Sequence, residues 1–216
     1  MRVSHVALDD FRSYRHAVVE FAPGTTVLLG SNGQGKTNLV EAVSYLSAFS
    51  SHRVSAEQAL VRLPLSPDEA QPGGAVVRVR LVTAGERETV IELEIVRGKA
   101  NRAKVNRTQV RPREVLGLLK SVVFSPEDLQ IVRGDPQVRR QFLDDLLIQQ
   151  HPLIAQVKSD FDKVARQRAA LMKSAQSQLR RGFTPDFSTV EVWDDTFAQL
   201  SAQLSLARVG LVEELR

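Results

Sequence analysis

The stretch Gly30-Ser31-Asn32-Gly33-Gln34-Gly35-Lys36-Thr37 fills every fixed position of the phosphate-loop pattern G-x-x-x-x-G-K-[ST]. Before it, Thr25-Thr26-Val27-Leu28-Leu29 reads as a short buried strand, and Pro23-Gly24 as the turn that leads into it. After it, Leu39, Val40, Val43 and Leu46 recur at helical spacing. Strand, glycine-rich turn and helix form the context in which this pattern binds phosphate. Gly30, Gly33 and Gly35 let the backbone curl around an anion, and the helix N-terminus adds partial positive charge. Ser31, Asn32 and Gln34 complete the loop. Lys36 is placed to reach the β- and γ-phosphates, and the Thr37 hydroxyl to hold Mg²⁺. The motif points to a nucleoside triphosphate.

The remaining chain sets limits on the function. It has 216 residues, 43% hydrophobic and 25% charged, which suits a soluble globular protein. With no cysteine, disulfides, thiolate zinc sites and cysteine nucleophiles are excluded. No run approaches the length of a membrane span, and the N-terminus lacks a signal-peptide core, so an intracellular, cytoplasmic protein is expected. The net charge of +4 permits nucleic-acid binding without demanding it.

Residues 3–8 and 17–21 read as strands with Asp9–Arg15 as the turn between them. Ala56–Leu63 reads as a short helix or loop, and Pro64–Gly74 as an exposed loop. Residues 75–82 and 89–96 form a hairpin pattern around Ala84–Arg87. The basic run Arg97–Arg107 is either a solvated hairpin edge or a contact to a phosphate backbone. Val122-Val123-Phe124 reads as a strand, followed by Ser125 as N-cap and Pro126 at the first helical position. From Gln137 to Gln150, Val138, Phe142, Leu143, Leu146 and Leu147 share one apolar helical face.

Beyond Gln150 the pattern becomes heptad-like. One seam runs through Ile154, Val157, Phe161, Val164, Arg168 and Leu171, and the other through Val190, Trp193, Phe197, Leu200, Leu204, Ala207 and Leu211. Arg181–Asp186 is the turn of an antiparallel helical hairpin. Arg168 either snorkels outward or pairs with an acidic residue opposite. No acidic site for Mg²⁺ follows a run of apolar residues on a strand, and Asp144-Asp145 belongs to a helix. The chain stops in mid-heptad, so more of the protein is expected beyond Arg216.

These segments together resemble the RecF family of bacterial recombinational repair proteins, in its actinobacterial form. The resemblance rests on Leu8-Asp9-Asp10-Phe11-Arg12-Ser13-Tyr14, on Gly33–Ala42, on Ser51-His52-Arg53 and on Val105-Asn106-Arg107. It extends through Val123–Gly134 and Arg139–Asp144. It implies an α/β P-loop NTPase head (ABC/SMC-like, mixed sheet) with an inserted α-helical hairpin arm. Residues 1–124 would be the N-terminal part of that head and 125–216 an incomplete arm, with the rest of the head beyond 216. By the same resemblance Gly30 to Thr37 bind ATP and Mg²⁺, and Arg12 and Ser13 approach the nucleotide. Asp10 stands where the family usually has Asn.

The implied function is ATP-dependent binding of single- and double-stranded DNA at gapped junctions in repair and replication. It includes an ATP-dependent homodimer, recombinase loading with RecO and RecR, and a link to the SOS response. A weak ATPase is expected of the complete protein, since this chain lacks a recognisable signature loop and acidic Mg²⁺ site. The competing reading is a small-molecule kinase or other metabolic P-loop enzyme, which explains the loop but not the heptad seams.

Overall fold

Strict alternation of apolar and polar residues builds the first half of the chain into a sheet with one dry face. In a computed structural model, which describes residues 1–51, 53–54, 56–184 and 188–216, six strands pair in the order β2-β1-β3-β4-β5-β6. They are β1 (Arg2–Phe11), β2 (Tyr14–Glu20), β3 (Gly74–Val82), β4 (Glu88–Val96), β5 (Arg102–Val105) and β6 (Thr108–Val110). Every pairing is antiparallel. Val6 and Leu8 of β1, Val77, Val79 and Leu81 of β3, and Ile91, Leu93 and Ile95 of β4 form the buried face. Helix α1 (Lys36–Ala48) adds Leu39, Ala42, Tyr45 and Leu46 to the same core. Each such side chain removed from water stabilises by about 2 kcal/mol.

The other face of the sheet carries charges, and these pair from strand to strand. His16 of β2 meets Asp9 of β1 at 2.6 Å, and Asp9 accepts from Arg78 of β3 at 2.6 Å. Arg78 also donates to Glu92 of β4 at 2.5 Å, and Glu92 accepts from Lys104 of β5 at 2.7 Å. Five strands are thereby crossed by alternating charge. Arg102 pairs with Glu94 at 3.6 Å. Two cations of the basic run are therefore neutralised by β4 glutamates, and their part of the run is a solvated, ion-paired sheet face.

The sequence expectations fail at two apolar segments. Thr25–Leu29 joins no ladder, and Val27 and Leu29 are 70% and 88% exposed. Val122–Phe124 likewise forms no strand, with Val122 92% and Phe124 90% exposed. A strand needs a neighbour to bond, and among the described residues no strand pairs with either segment. Leu28, the residue between the two bare ones, does pack against the core. Ser125 stands where expected, directly before a turn that Pro126 opens, though its hydroxyl has no partner among the described residues. Its backbone N–H is capped by the Asp128 carboxylate at 2.6 Å, at the start of a short 3₁₀ turn, Pro126–Leu129.

The described residues divide into two compact units, Met1–Gln130 and Ile131–Arg216. The second is helical, with α2 (Gln130–Arg133) at its entry, then α3 (Pro136–Gln150), α4 (Ile154–Arg180) and α5 (Ser188–Glu214). Asp135 caps α3 by accepting from the Gln137 N–H at 2.7 Å. Phe161 of α4 meets Phe197 of α5 with ring centroids 5.3 Å apart. Arg168, seven residues on, meets Asp194, three residues back, so the two helices run antiparallel as their seams require. Arg168 thus pairs rather than snorkels. The face of α3 that packs is Asp144, Leu147 and Ile148, while Phe142, placed on the apolar face by sequence, is 41% exposed. Pro185 and Asp186 of the expected turn, and His52 of the Ser51-His52-Arg53 segment, lie outside the described residues.

Candidate nucleotide site

Within Gly30–Thr37 the turn ends on Gly35, the N-cap of α1, at φ +90°, and Lys36 and Thr37 open the helix. A β-carbon there would meet the Ser13 hydroxyl at 2.8 Å and the Tyr14 ring at 3.0 Å, so only glycine admits the approach of the β1–β2 turn. Lys36 folds across the loop and donates to the carbonyls of Gly30 and Ser31, each at 2.7 Å. The ammonium thereby straps the start of the loop to its end. Ser31, Asn32, Gly33, Gln34 and Thr37 are exposed. The first turn of α1 has no acidic residue and no side-chain cap. Its amide groups and dipole therefore remain available to an anion.

Behind the loop lies a cluster that sequence reasoning did not assemble. Glu41, 1% exposed, sits on α1 among the apolar residues of the core face. Its carboxylate accepts from Arg12 Nε at 2.9 Å and Nη2 at 2.6 Å, from Ser51 Oγ at 2.5 Å and from Arg53 Nη1 at 3.1 Å. Burial alone pushes the Glu41 carboxyl up. The hydrogen bonds from Arg12 and Ser51, with the charges of Arg12 and Arg53, outweigh that and hold it below the ordinary carboxylate range. Arg53 also donates to Asn38 Oδ1 at 2.8 Å, and Asn38 Nδ2 donates to Ser13 Oγ at 2.9 Å. A buried carboxylate amid Leu39, Ala42 and Leu46 was the signal available in the sequence, because such a group must carry its own partners.

The expected site residues therefore sit in two tiers. Gly30, Ser31, Asn32, Gly33, Gln34, Gly35, Lys36 and Thr37 form the loop itself. Ser13 borders the loop at Gly35 and accepts from Asn38 of α1, whereas the guanidinium of Arg12 is taken up by Glu41 and by the Ala59 carbonyl at 3.1 Å. Asp10 adopts φ +46° and accepts from the buried Arg62 at 2.8 Å, so the aspartate holds the turn by an ion pair. No group of three or more acidic or histidine side chains that could hold a metal occurs among the described residues. Thr37 is the hydroxyl at hand for Mg²⁺, an ion that usually takes few protein ligands beside phosphate and water. Asp144 is engaged elsewhere, in an ion pair with Arg208.

The family described as the RecF/RecN/SMC N-terminal domain matches residues 2–208. The chain belongs to that family. Within the RecF/RecN/SMC family its likeness is to RecF. The DNA replication and repair protein RecF of Frankia alni is 49% identical over 217 residues, covering all of this chain and 55% of that protein. RecF of Beutenbergia cavernae is 51% identical over 220 residues, covering all of this chain and 53% of the relative. The chain thus spans about half the length of the curated relatives it matches.

A solved structure of the recombination mediator protein RecF-ATPrS in the RecFOR pathway superposes with a TM-score of 0.84 at 27% identity. It covers 99% of this chain and 55% of that one. The Smc head domain with an extended coiled coil from Pyrococcus furiosus, at 20% identity and TM-score 0.54 over 98% of this chain and 57% of that one, shares the fold. The architecture is an α/β P-loop NTPase head of the ABC/SMC type with a helical hairpin arm. No helix among the described residues is long and apolar enough to cross a membrane.

Proposed function

We propose that this chain is the nucleotide-binding portion of an ATP-dependent DNA-binding protein of recombinational repair and replication-fork maintenance. The observation that carries the reading is the curled loop at the uncapped N-terminus of α1, strapped by Lys36, in a chain whose relatives are RecF proteins. Gly30 to Gly35 offer backbone amides to the phosphates, Lys36 its charge, and Thr37 its hydroxyl to Mg²⁺. Arg12 and Ser13 border the same nucleotide. Thr37 would hold Mg²⁺ beside the triphosphate, where the ion would offset part of the phosphate charge.

The complete protein would bind gapped DNA at single-strand/double-strand junctions, dimerise on ATP and hydrolyse it weakly. It would work with RecO and RecR in loading recombinase and belong to the cytoplasmic SOS response. Residues 1–124 would form part of the head and 125–216 part of the arm. In support, Val27, Leu29, Val122 and Phe124 are exposed apolar side chains on two unpaired segments of the first unit.

The test is binding of gapped and blunt duplexes by the full-length protein, with ATP·Mg²⁺ and without. Tighter, salt-sensitive binding with ATP that Lys36→Ala abolishes is the expected result. ATP affinity at wild-type strength in Lys36→Ala overturns the nucleotide site. No DNA binding in any nucleotide state overturns the repair function and returns the loop to a metabolic enzyme.

A further inference from the structure

The hydrogen bonds behind the loop close into a ring. Glu41 holds Arg12; the next residue, Ser13, accepts from Asn38; Asn38 accepts from Arg53; and Arg53 returns to Glu41. Three separate pieces of chain meet there: the β1–β2 turn, the first turns of α1, and the segment at Ser51 and Arg53. A carboxylate has about four acceptor positions, and Glu41 receives four donor groups, from Arg12 twice, Ser51 and Arg53. Asn38 is used at both ends of its amide, which fixes its orientation. The Ser13 hydroxyl in turn stands 2.8 Å from where a β-carbon at Gly35 would lie, so it borders the loop there.

We propose that Glu41 is a positioning residue of the nucleotide site: it fixes Arg12 and Arg53, and through Ser13 and Asn38 it sets the shape in which Gly35 and Lys36 meet a triphosphate. The inference rests on the loop being a nucleotide site. Glu41 touches no part of the loop and no phosphate in this scheme; it acts through its partners.

The sign of one measurement separates this role from a bystander's. A negative charge beneath a triphosphate repels it, and removing that charge from a passive position strengthens binding. Releasing two arginines from a positioning carboxylate weakens binding, because the loop is no longer held in one shape. The experiment is ATP affinity of the full-length protein for wild type, Glu41→Gln and Glu41→Asp, with the melting temperature of each recorded. Glu41→Gln is expected to weaken ATP binding about tenfold, a size common when an orienting partner is lost at a ligand site. Glu41→Asp keeps the charge but is one methylene too short to serve Arg12 and Arg53 together, so it is expected to weaken binding by a smaller factor.

Unchanged or tighter ATP binding in folded Glu41→Gln overturns the proposal, whatever happens to its melting temperature. If Glu41→Gln does not fold, Glu41→Asp decides by the same rule. Lys36→Ala measured alongside keeps the two readings apart. Binding lost there but retained in the Glu41 variants defeats the positioning role alone, and binding retained in all three defeats the nucleotide site.

Discussion

Asp144 of α3 and Arg208 of α5 form a two-pronged ion pair, Nε to Oδ1 at 2.8 Å and Nη2 to Oδ2 at 2.9 Å. The carboxylate is 1% exposed, and Lys158 of α4 stands 3.9 Å from its Oδ2. One buried acid therefore ties together all three long helices of the second unit. Arg208→Ala leaves that charge without its main partner, and the variant is expected to lose about 3 kcal/mol, the scale set by broken buried pairs. Replacing both residues by leucine is expected to cost less than Arg208→Ala alone. Urea denaturation of the three proteins checks the order, and equal stability of wild type and Arg208→Ala would show the pair to be idle.

Higher along the hairpin the seam is aromatic. Phe197 packs on Phe161, and the Arg168 guanidinium lies 5.4 Å from the Phe197 centroid while bonding Asp194. Phe197→Ala is expected to destabilise by about 2 kcal/mol, below the full core value because the ring is only half-buried. A double-mutant cycle with Arg168→Met should return a coupling of about 0.5–1 kcal/mol. Zero coupling would reduce the cation–ring contact to mere proximity.

The phosphate loop, the hairpin of β3 and β4, and the antiparallel helices were legible because each is written in one continuous stretch. The misread segments share a different cause. Hydropathy marks Val27, Leu29, Val122 and Phe124 as residues that favour burial, but says nothing of whether a neighbouring strand is there to cover them. On α3 the packed face follows Asp144 instead of Phe142, because the acid brings counter-charges from α4 and α5, and pairing beats hydropathy there. The ladder from His16 to Lys104 depends on register between β1 and β3, whose partners Asp9 and Val76 are far apart in the chain. The ring around Glu41 was hidden for the same reason, although a lone acid on an apolar helix face was visible.

Gly35 and Gly33 allow strain and collision to be separated. Both have φ near +85° to +90°, but only at Gly35 does a β-carbon meet other atoms, Ser13 at 2.8 Å and Tyr14 at 3.0 Å. Gly33→Ala is expected to cost about 1 kcal/mol from backbone strain, and Gly35→Ala about 2 kcal/mol or more because Ser13 or Tyr14 must also move. Gly35→Ala should weaken ATP binding as well. Thermal melting and nucleotide titration of both variants are the check. Equal stability of the two would mean that the β1–β2 turn yields freely and does not press on the loop.

Acid should unfold the first unit by a route that the ion pairs dictate. For Asp9 and Glu92 burial alone favours the neutral form, but His16 and Arg78 for the first, and Lys104 and Arg78 for the second, hold both carboxyls below their ordinary values of 3.8 and 4.5. Arg62, helped by the Leu65 N–H, holds Glu69 down to about 2. A group depressed in the folded state binds its proton more readily when unfolded. The stability it contributes is thus complete above the unfolded value and is lost as pH falls through the folded one. Melting temperature should hold from neutral pH down to about 5, then fall steeply through 4.5 toward 2. Glu92→Gln should melt below wild type at neutral pH and approach it in acid, since the variant has one carboxylate fewer to protonate. A constant gap between the two curves from pH 7 to 3 would mean that Glu92 stabilises by packing, with no share from its charge.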